Sequence, residues 1–181
     1  MALRVPVYAT RITSLSDARY FAGMGVRYLG ICADPQSPDF FPAGRFREIS
    51  GWVTGPEFVL EVDSMDGDPD LSRLAAEYGV SVFRINVGQQ QFAIDSGVRF
   101  GIAGDVQAAD AEFTVGSVDR MEPANDRIHF ASEIRSINDA SELLNNYPGA
   151  GLMVQGSPEQ QPGVKEYDAQ DLLEFLDADQ D

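Results

Sequence analysis

Short runs of β-branched and aromatic residues recur along this chain, each bounded by Gly, Pro, Asp or Ser. Such runs predict strands: Val5–Ala9, Tyr28–Cys32, Glu57–Val62, Ser81–Asn86, Val98–Ala103, Glu112–Val115, Ile128–Ala131 and Gly151–Val154. Between several of them the apolar spacing changes to that of a helix. Ser14 can cap a helix through Met24, with Asp17 as a weak capping-box partner; Leu15, Ala18, Phe21 and Ala22 share one face, and Gly23 and Gly25 end it. Pro42 opens a helix to about Trp52, with Phe46 and Ile49 inward. Pro69 opens another to Tyr78, with Leu71, Leu74 and Ala75 inward and Gly79 as its stop. Ser136 caps a helix to about Tyr147, and the last runs from Tyr167 or Asp168 to Leu176.

The middle of the chain is thinner. Asn86 to Val98 has room for two helical turns at most, and the Gln89-Gln90-Gln91 run reads as a solvated turn. Ala103 to Glu112 is shorter still, and Val115 to Ile128 shows no helical periodicity. A parallel crossover needs about ten residues, so closure is tight there. Alternating strands and helices imply a parallel sheet with helices outside. Eight strands favour a closed barrel: an α/β (β/α)8 fold, reduced, with crossover helices shortened or missing between strands 4 and 7. Residues 1–181 are expected to form one domain.

Composition narrows the function classes. The net charge of −16 repels phosphates, so nucleic acid is a poor partner. Lys165 is the only lysine beside twelve arginines; an acidic, lysine-poor surface fits either an ordinary soluble protein or one adapted to a salt-rich cytoplasm. No run of about 18 apolar residues predicts a membrane span, and the N-terminal residues lack a signal-peptide core. A cytoplasmic protein is expected. One cysteine, Cys32, and one histidine, His129, argue against a disulfide and a Cys/His metal site. No glycine-rich nucleotide motif appears, and no cofactor is expected.

Four segments resemble phosphoribosylanthranilate isomerase, a (β/α)8 TIM-type barrel enzyme of tryptophan biosynthesis. They are Ile12-Thr13-Ser14-Leu15-Ser16-Asp17-Ala18; Tyr28-Leu29-Gly30-Ile31 with Asp34-Pro35-Gln36-Ser37-Pro38-Asp39-Phe40-Phe41, similar to the family's P-K-S-P-R-Y loop; Ile128 to Leu144; and Pro162-Gly163-Val164-Lys165-Glu166, similar to its P-G-V-K-D. The resemblance implies a general base where the family's first strand ends K-I-C-G and a general acid aspartate closing the sixth strand. Here the lysine, cysteine and glycine positions carry Tyr8, Thr10 and Arg11, and the aspartate position carries Val115 or Gly116. A threonine hydroxyl does not accept a proton near pH 7 without a strong base beside it. The family's phosphate-binding glycines after strands seven and eight are reduced to Gly156, with Glu133 aimed where a phosphate would sit.

The candidate site is the ring at the C-terminal strand ends: Thr10, Arg11, Cys32, Asp34, Asp63, Asn86, Asp105, Glu133 and Gln155. Arg11, Cys32, Asp34, Asp63 and Glu133 are the catalytic candidates. Asp34 or Asp63 with Glu133 would supply paired carboxylates, and Arg11 an anion contact. Cys32 also fits a small buried hydrophobe, and His129 a packed strand residue. Gln155, Gly156 and Ser157 are the phosphate-binding candidates. Trp52 and Phe58 are expected to pack between helix and strand, and Phe40-Phe41 to plug the barrel mouth or serve as its lid. Two functions stay open: a divergent barrel without isomerase activity that binds a ligand or serves as structure, and an isomerase or lyase on a small anionic, phosphosugar-like substrate. A homo-oligomer formed through the thin side, where missing helices would bare apolar strand faces, is a third possibility.

Overall fold

The computed structural model describes residues 3–67, 69–104, 109–117, 127–132, 134, 136–156 and 169–177. Eight parallel strands close in sequence order into a barrel: β1 (Val7–Thr10), β2 (Tyr28–Cys32), β3 (Glu57–Glu61), β4 (Val82–Asn86), β5 (Arg99–Ala103), β6 (Phe113–Gly116), β7 (Ile128–Ala131) and β8 (Gly151–Gln155). The seam is the β1–β8 pairing, running from Val7 opposite Leu152 to Thr10 opposite Gln155. Outside lie α1 (Leu15–Gly23), α2 (Ala43–Ser50), α3 (Leu71–Tyr78), α4 (Gln90–Ser96), α5 (Ile137–Asn146) and α6 (Gln170–Phe175).

Local chemistry sets these boundaries. The Ser14 and Ser136 side chains accept from the N–H groups of Asp17 and Asp139, capping α1 and α5. Asp70 caps α3, which Gly79 ends in the left-handed conformation. Between β4 and β5 the chain makes a 3₁₀ turn (Val87–Gln89) that leads into the seven-residue α4. Among the described residues no helix lies between β5 and β7.

Strand alternation builds two cores. Outward residues such as Val7, Leu29, Leu60, Phe83, Ile102 and Leu152 pack against the helices. Inward residues Tyr8, Tyr28, Val59, Val82, Phe113, Val115 and Phe130 fill the barrel. The rings of Tyr8, Phe113 and Phe130 meet edge to face at 5.6–5.7 Å, contacts that add about 0.5–1.5 kcal/mol each beyond burial. Glycines make the room. A Cβ at Gly101 would lie 2.1 Å from the Phe113 ring, and one at Gly151 would lie 2.6 Å from Phe130.

Three expectations change. Trp52 ends its turn 73% exposed, although Phe58 does pack against Phe46 as expected. Phe41 is buried in the layer between barrel and helices, where its carbonyl accepts from the Tyr78 hydroxyl, and it does not plug the mouth. Gln89 is buried, not solvated: its amide donates to the carbonyls of Val62 and Met65, while Gln90 and Gln91 begin α4. On the thin side the outward positions of β6 and β7 include Thr114 and His129, joined by a 2.7 Å hydrogen bond.

Candidate functional site

The site is assembled by strand periodicity. Thr10, Glu61 and Arg84 each stand two residues beyond an inward core residue (Tyr8, Val59 and Val82), so their side chains also point inward, one layer nearer the C-terminal ends. There they form a single network. The hydroxyls of Tyr8 and Thr10 donate to Glu61 Oε1 at 2.7 and 2.5 Å. Arg84 Nη1 donates to Glu61 Oε1 at 2.9 Å and Thr10 Oγ1 at 3.0 Å. Arg84 Nε and Nη2 hold the two oxygens of Asp63 at 2.9 and 3.2 Å.

Electrostatics locks this layer. Burial works against the Arg84 charge, but Glu61, Tyr8 and Asp63 outweigh it and hold the guanidinium protonated far above neutral pH. Burial, then the Glu61 charge, pushes the Tyr8 phenol well up. The Arg84 side chain is only 11% exposed, whereas Asp63 is 21% exposed and faces the opening. Gly30 is required below the network, since a Cβ there would lie 1.9 Å from Glu61 Oε1.

Above the network is a cavity of about 510 Å³ at the barrel mouth. Thr10, Arg11, Asp63 and Arg84 line one side; Val115, Gly116, Ser132, Met153 and Gln155 are among those that close the other. Thr10 and the Val115–Gly116 pair thus sit at the two strand ends where the resemblance locates base and acid.

The sequence candidates divide. Arg11, Asp63 and Gln155 share the cavity wall. Arg11 is 52% exposed, pairs with Asp39 at 3.4 Å and has φ +56°. Cys32 and Asp34 do not line the cavity. Cys32 is buried, and that burial raises its thiol. The Asp34 carboxylate accepts from the Gln36 N–H at 2.9 Å and the Ser64 hydroxyl at 2.8 Å, fixing the loop after β2. The paired carboxylates at the mouth are therefore Asp63 and Glu61, with Arg84 between them. Gly156 closes the seam: its N–H donates to the Thr10 carbonyl at 2.7 Å, and a Cβ would lie 2.7 Å from the Arg11 carbonyl oxygen. Glu133, Ser157, Asp105 and the Pro162–Glu166 block lie outside the described residues.

Glu61 and Arg84 are absent from the sequence candidates. The signal is there: each is a charged residue two positions beyond an inward apolar residue of its strand, and the two strands are adjacent. Among the described residues no group of three or more His, Cys, Asp or Glu side chains could hold a metal ion. No described helix is long and apolar enough to cross a membrane.

No family model and no curated protein matches the chain. Solved structures do. TrpF from Jonesia denitrificans aligns over 94% of this chain and 95% of its own, with a TM-score of 0.69 and 18% identity. Phosphoribosylanthranilate isomerase from Thermotoga maritima aligns over 95% and 96%, with a TM-score of 0.69 and 15% identity. Orotidine 5′-monophosphate decarboxylase from Methanocaldococcus jannaschii aligns over 97% and 100%, with a TM-score of 0.60 and 10% identity. The chain therefore has the (β/α)8 barrel fold of the phosphoribosylanthranilate isomerases, the resemblance read from its four segments.

Proposed function

We propose that this chain is a barrel protein that binds a small molecule at its mouth and does not isomerise phosphoribosylanthranilate with a thiol base and a carboxylic acid. The observation that carries this reading is the content of the two strand ends. Thr10 spends its proton on Glu61 and receives Arg84, while Val115 and Gly116 have no titratable group. General acid and base groups each contribute about 10²–10⁴-fold to such proton transfers. Both carboxylates of the layer are held by Arg84. The alternative, an isomerase or lyase on a small anionic substrate, draws on Arg11 and Asp63, the two catalytic candidates that share the cavity.

The test is direct. Purified chain is incubated with phosphoribosylanthranilate, and the gene is expressed in a tryptophan auxotroph lacking the isomerase. The expected outcome is no product above the uncatalysed rate and no growth. Turnover that Asp63→Asn abolishes would establish the alternative.

A further inference from the structure

We propose that the barrel mouth takes a ligand that brings hydrogen-bond donors and no negative charge, a small polyol bearing a protonated amine, with Asp63 as the acceptor for its amine. This rests on the ligand-binding reading above and names what is bound.

The first observation is a shortage of free donors among the described residues. An anion site at strand ends needs backbone N–H groups aimed outward. Around this cavity the N–H of Gly104 donates to the Val115 carbonyl at 2.8 Å, that of Ser132 to Gly116 at 2.9 Å, and that of Gly156 to Thr10 at 2.7 Å. Each extends the β ladder and points along the rim. The N–H of Arg11 is turned toward Glu61 Oε2 at 3.4 Å. The arginines add little. Of the five N–H groups of Arg84, Nε and one on Nη2 go to Asp63 and the two on Nη1 go to Glu61 and Thr10, so a single Nη2 N–H remains. Arg11 is paired with Asp39.

The second observation is a surplus of acceptors. A carboxylate has about four lone-pair sites. Arg84 occupies one on each Asp63 oxygen, fixing the group while leaving capacity toward the cavity it lines. The Ser132 hydroxyl donates to the Gly116 carbonyl at 3.0 Å, which leaves its oxygen as an acceptor. Charge acts in the same direction once each pair is counted whole: Glu61, Asp63 and Asp39 are three carboxylates against the two arginines Arg84 and Arg11, in a protein of net charge −16. Val115, Ile134 and Met153 supply apolar wall for the carbon skeleton.

The experiment titrates ¹⁵N-labelled full-length chain with 1-amino-1-deoxyribitol and, separately, with ribose 5-phosphate, following the backbone amides of Gly104 and Gly116 and the Gln155 side-chain amide. The amino polyol is expected to shift these signals saturably, with ribose 5-phosphate needing at least tenfold higher concentration. Asp63→Asn keeps an oxygen for Arg84 and is expected to weaken the amino polyol at least tenfold. Equal or tighter binding of ribose 5-phosphate, an amino polyol that leaves the three amides unmoved, or an unchanged affinity in Asp63→Asn would each overturn the proposal. The comparison of the two probes on the wild-type chain decides it even if Asp63→Asn does not fold. Ribose 5-phosphate binding without turnover would sink the ligand class and leave the loss of isomerisation standing; turnover of phosphoribosylanthranilate would sink the latter.

Discussion

The same substitution changes sign with its surroundings when applied to two glycines of this chain. Gly101 faces the barrel interior with the Phe113 ring in the space a Cβ would take. Gly101→Ala is expected to cost about 1–3 kcal/mol by overpacking, and Phe113→Leu in the same chain should recover part of it. Gly44 sits exposed in α2 with nothing within 4 Å of where a methyl would stand, so Gly44→Ala is expected to stabilise by up to about 1 kcal/mol through helix propensity. Urea midpoints of the three variants check both signs. Arg11 presents a third case. Its φ of +56° costs a side-chain-bearing residue roughly 1–2 kcal/mol. Glycine would remove that strain but lose about 0.5–1 kcal/mol in chain entropy, together with an exposed ion pair worth about 0–1 kcal/mol. Arg11→Gly is therefore expected to lie between about 1 kcal/mol less stable and about 1.5 kcal/mol more stable than the wild type, and a urea midpoint lowered by more than that loss would contradict it. The K-I-C-G motif of the resemblance carries its glycine at this place, where the backbone is still left-handed.

At the scale of elements, α3 is tied to the segment before α2 through one hydrogen bond, from the Tyr78 hydroxyl to the Phe41 carbonyl at 2.8 Å. Burial, then the Glu77 charge, raises the Tyr78 phenol from about 10 to about 12. A raised phenol stabilises the fold fully below pH 10, where folded and unfolded chains are both protonated, and that contribution is lost as the pH rises from 10 through 12. Urea midpoints are thus expected to fall more steeply between pH 10 and 12 in the wild type than in Tyr78→Phe, which starts lower; parallel curves would refute it. Elements of this kind are the most legible part of the sequence. The runs Tyr28–Cys32 and Ile128–Ala131 appear with the expected ends, because β-branching and flanking glycines or polar residues act locally. Gln89 departs from its expected solvated turn because its burial depends on two carbonyls, Val62 and Met65, that only the fold brings to it. Cys32 and Asp34 are expected in the site because one ends β2 and the other follows it. The chain instead folds back there, with Phe40 bridging Cys32 and the Asp34 carboxylate holding its own loop. Glu61 and Arg84 are hidden by the apolar strand bodies that contain them, since only the face each charge takes gives it a place in the site.

The whole molecule carries its charge unevenly between inside and outside. Arg84 neutralises part of the buried layer, and salt reaches such a site weakly. The remaining excess is spread over a surface of 9537 Å². With a net charge of −16, that is on the order of 600 Å² per uncompensated charge, a spacing of roughly 25 Å. Screening length then decides what salt does. At 0.01 M it is about 30 Å, longer than the spacing, so the excess carboxylates repel one another and oppose compaction; at 0.1 M it is about 10 Å, and most of that repulsion is gone. Thermal unfolding in KCl is therefore expected to shift upward by a few degrees between 10 and 150 mM and to level off after that. A midpoint that keeps climbing to 2 M would show a surface that needs concentrated salt for more than screening, the reading that twelve arginines beside a single lysine leave open. Arg84→Met measured across the same series separates the two layers. Its loss of stability is expected to be about 3–5 kcal/mol, because Glu61 and Asp63 are left facing each other without their cation, and to change less between 10 and 150 mM than the surface repulsion does, since Glu61 is buried and Asp63 meets solvent only through the cavity.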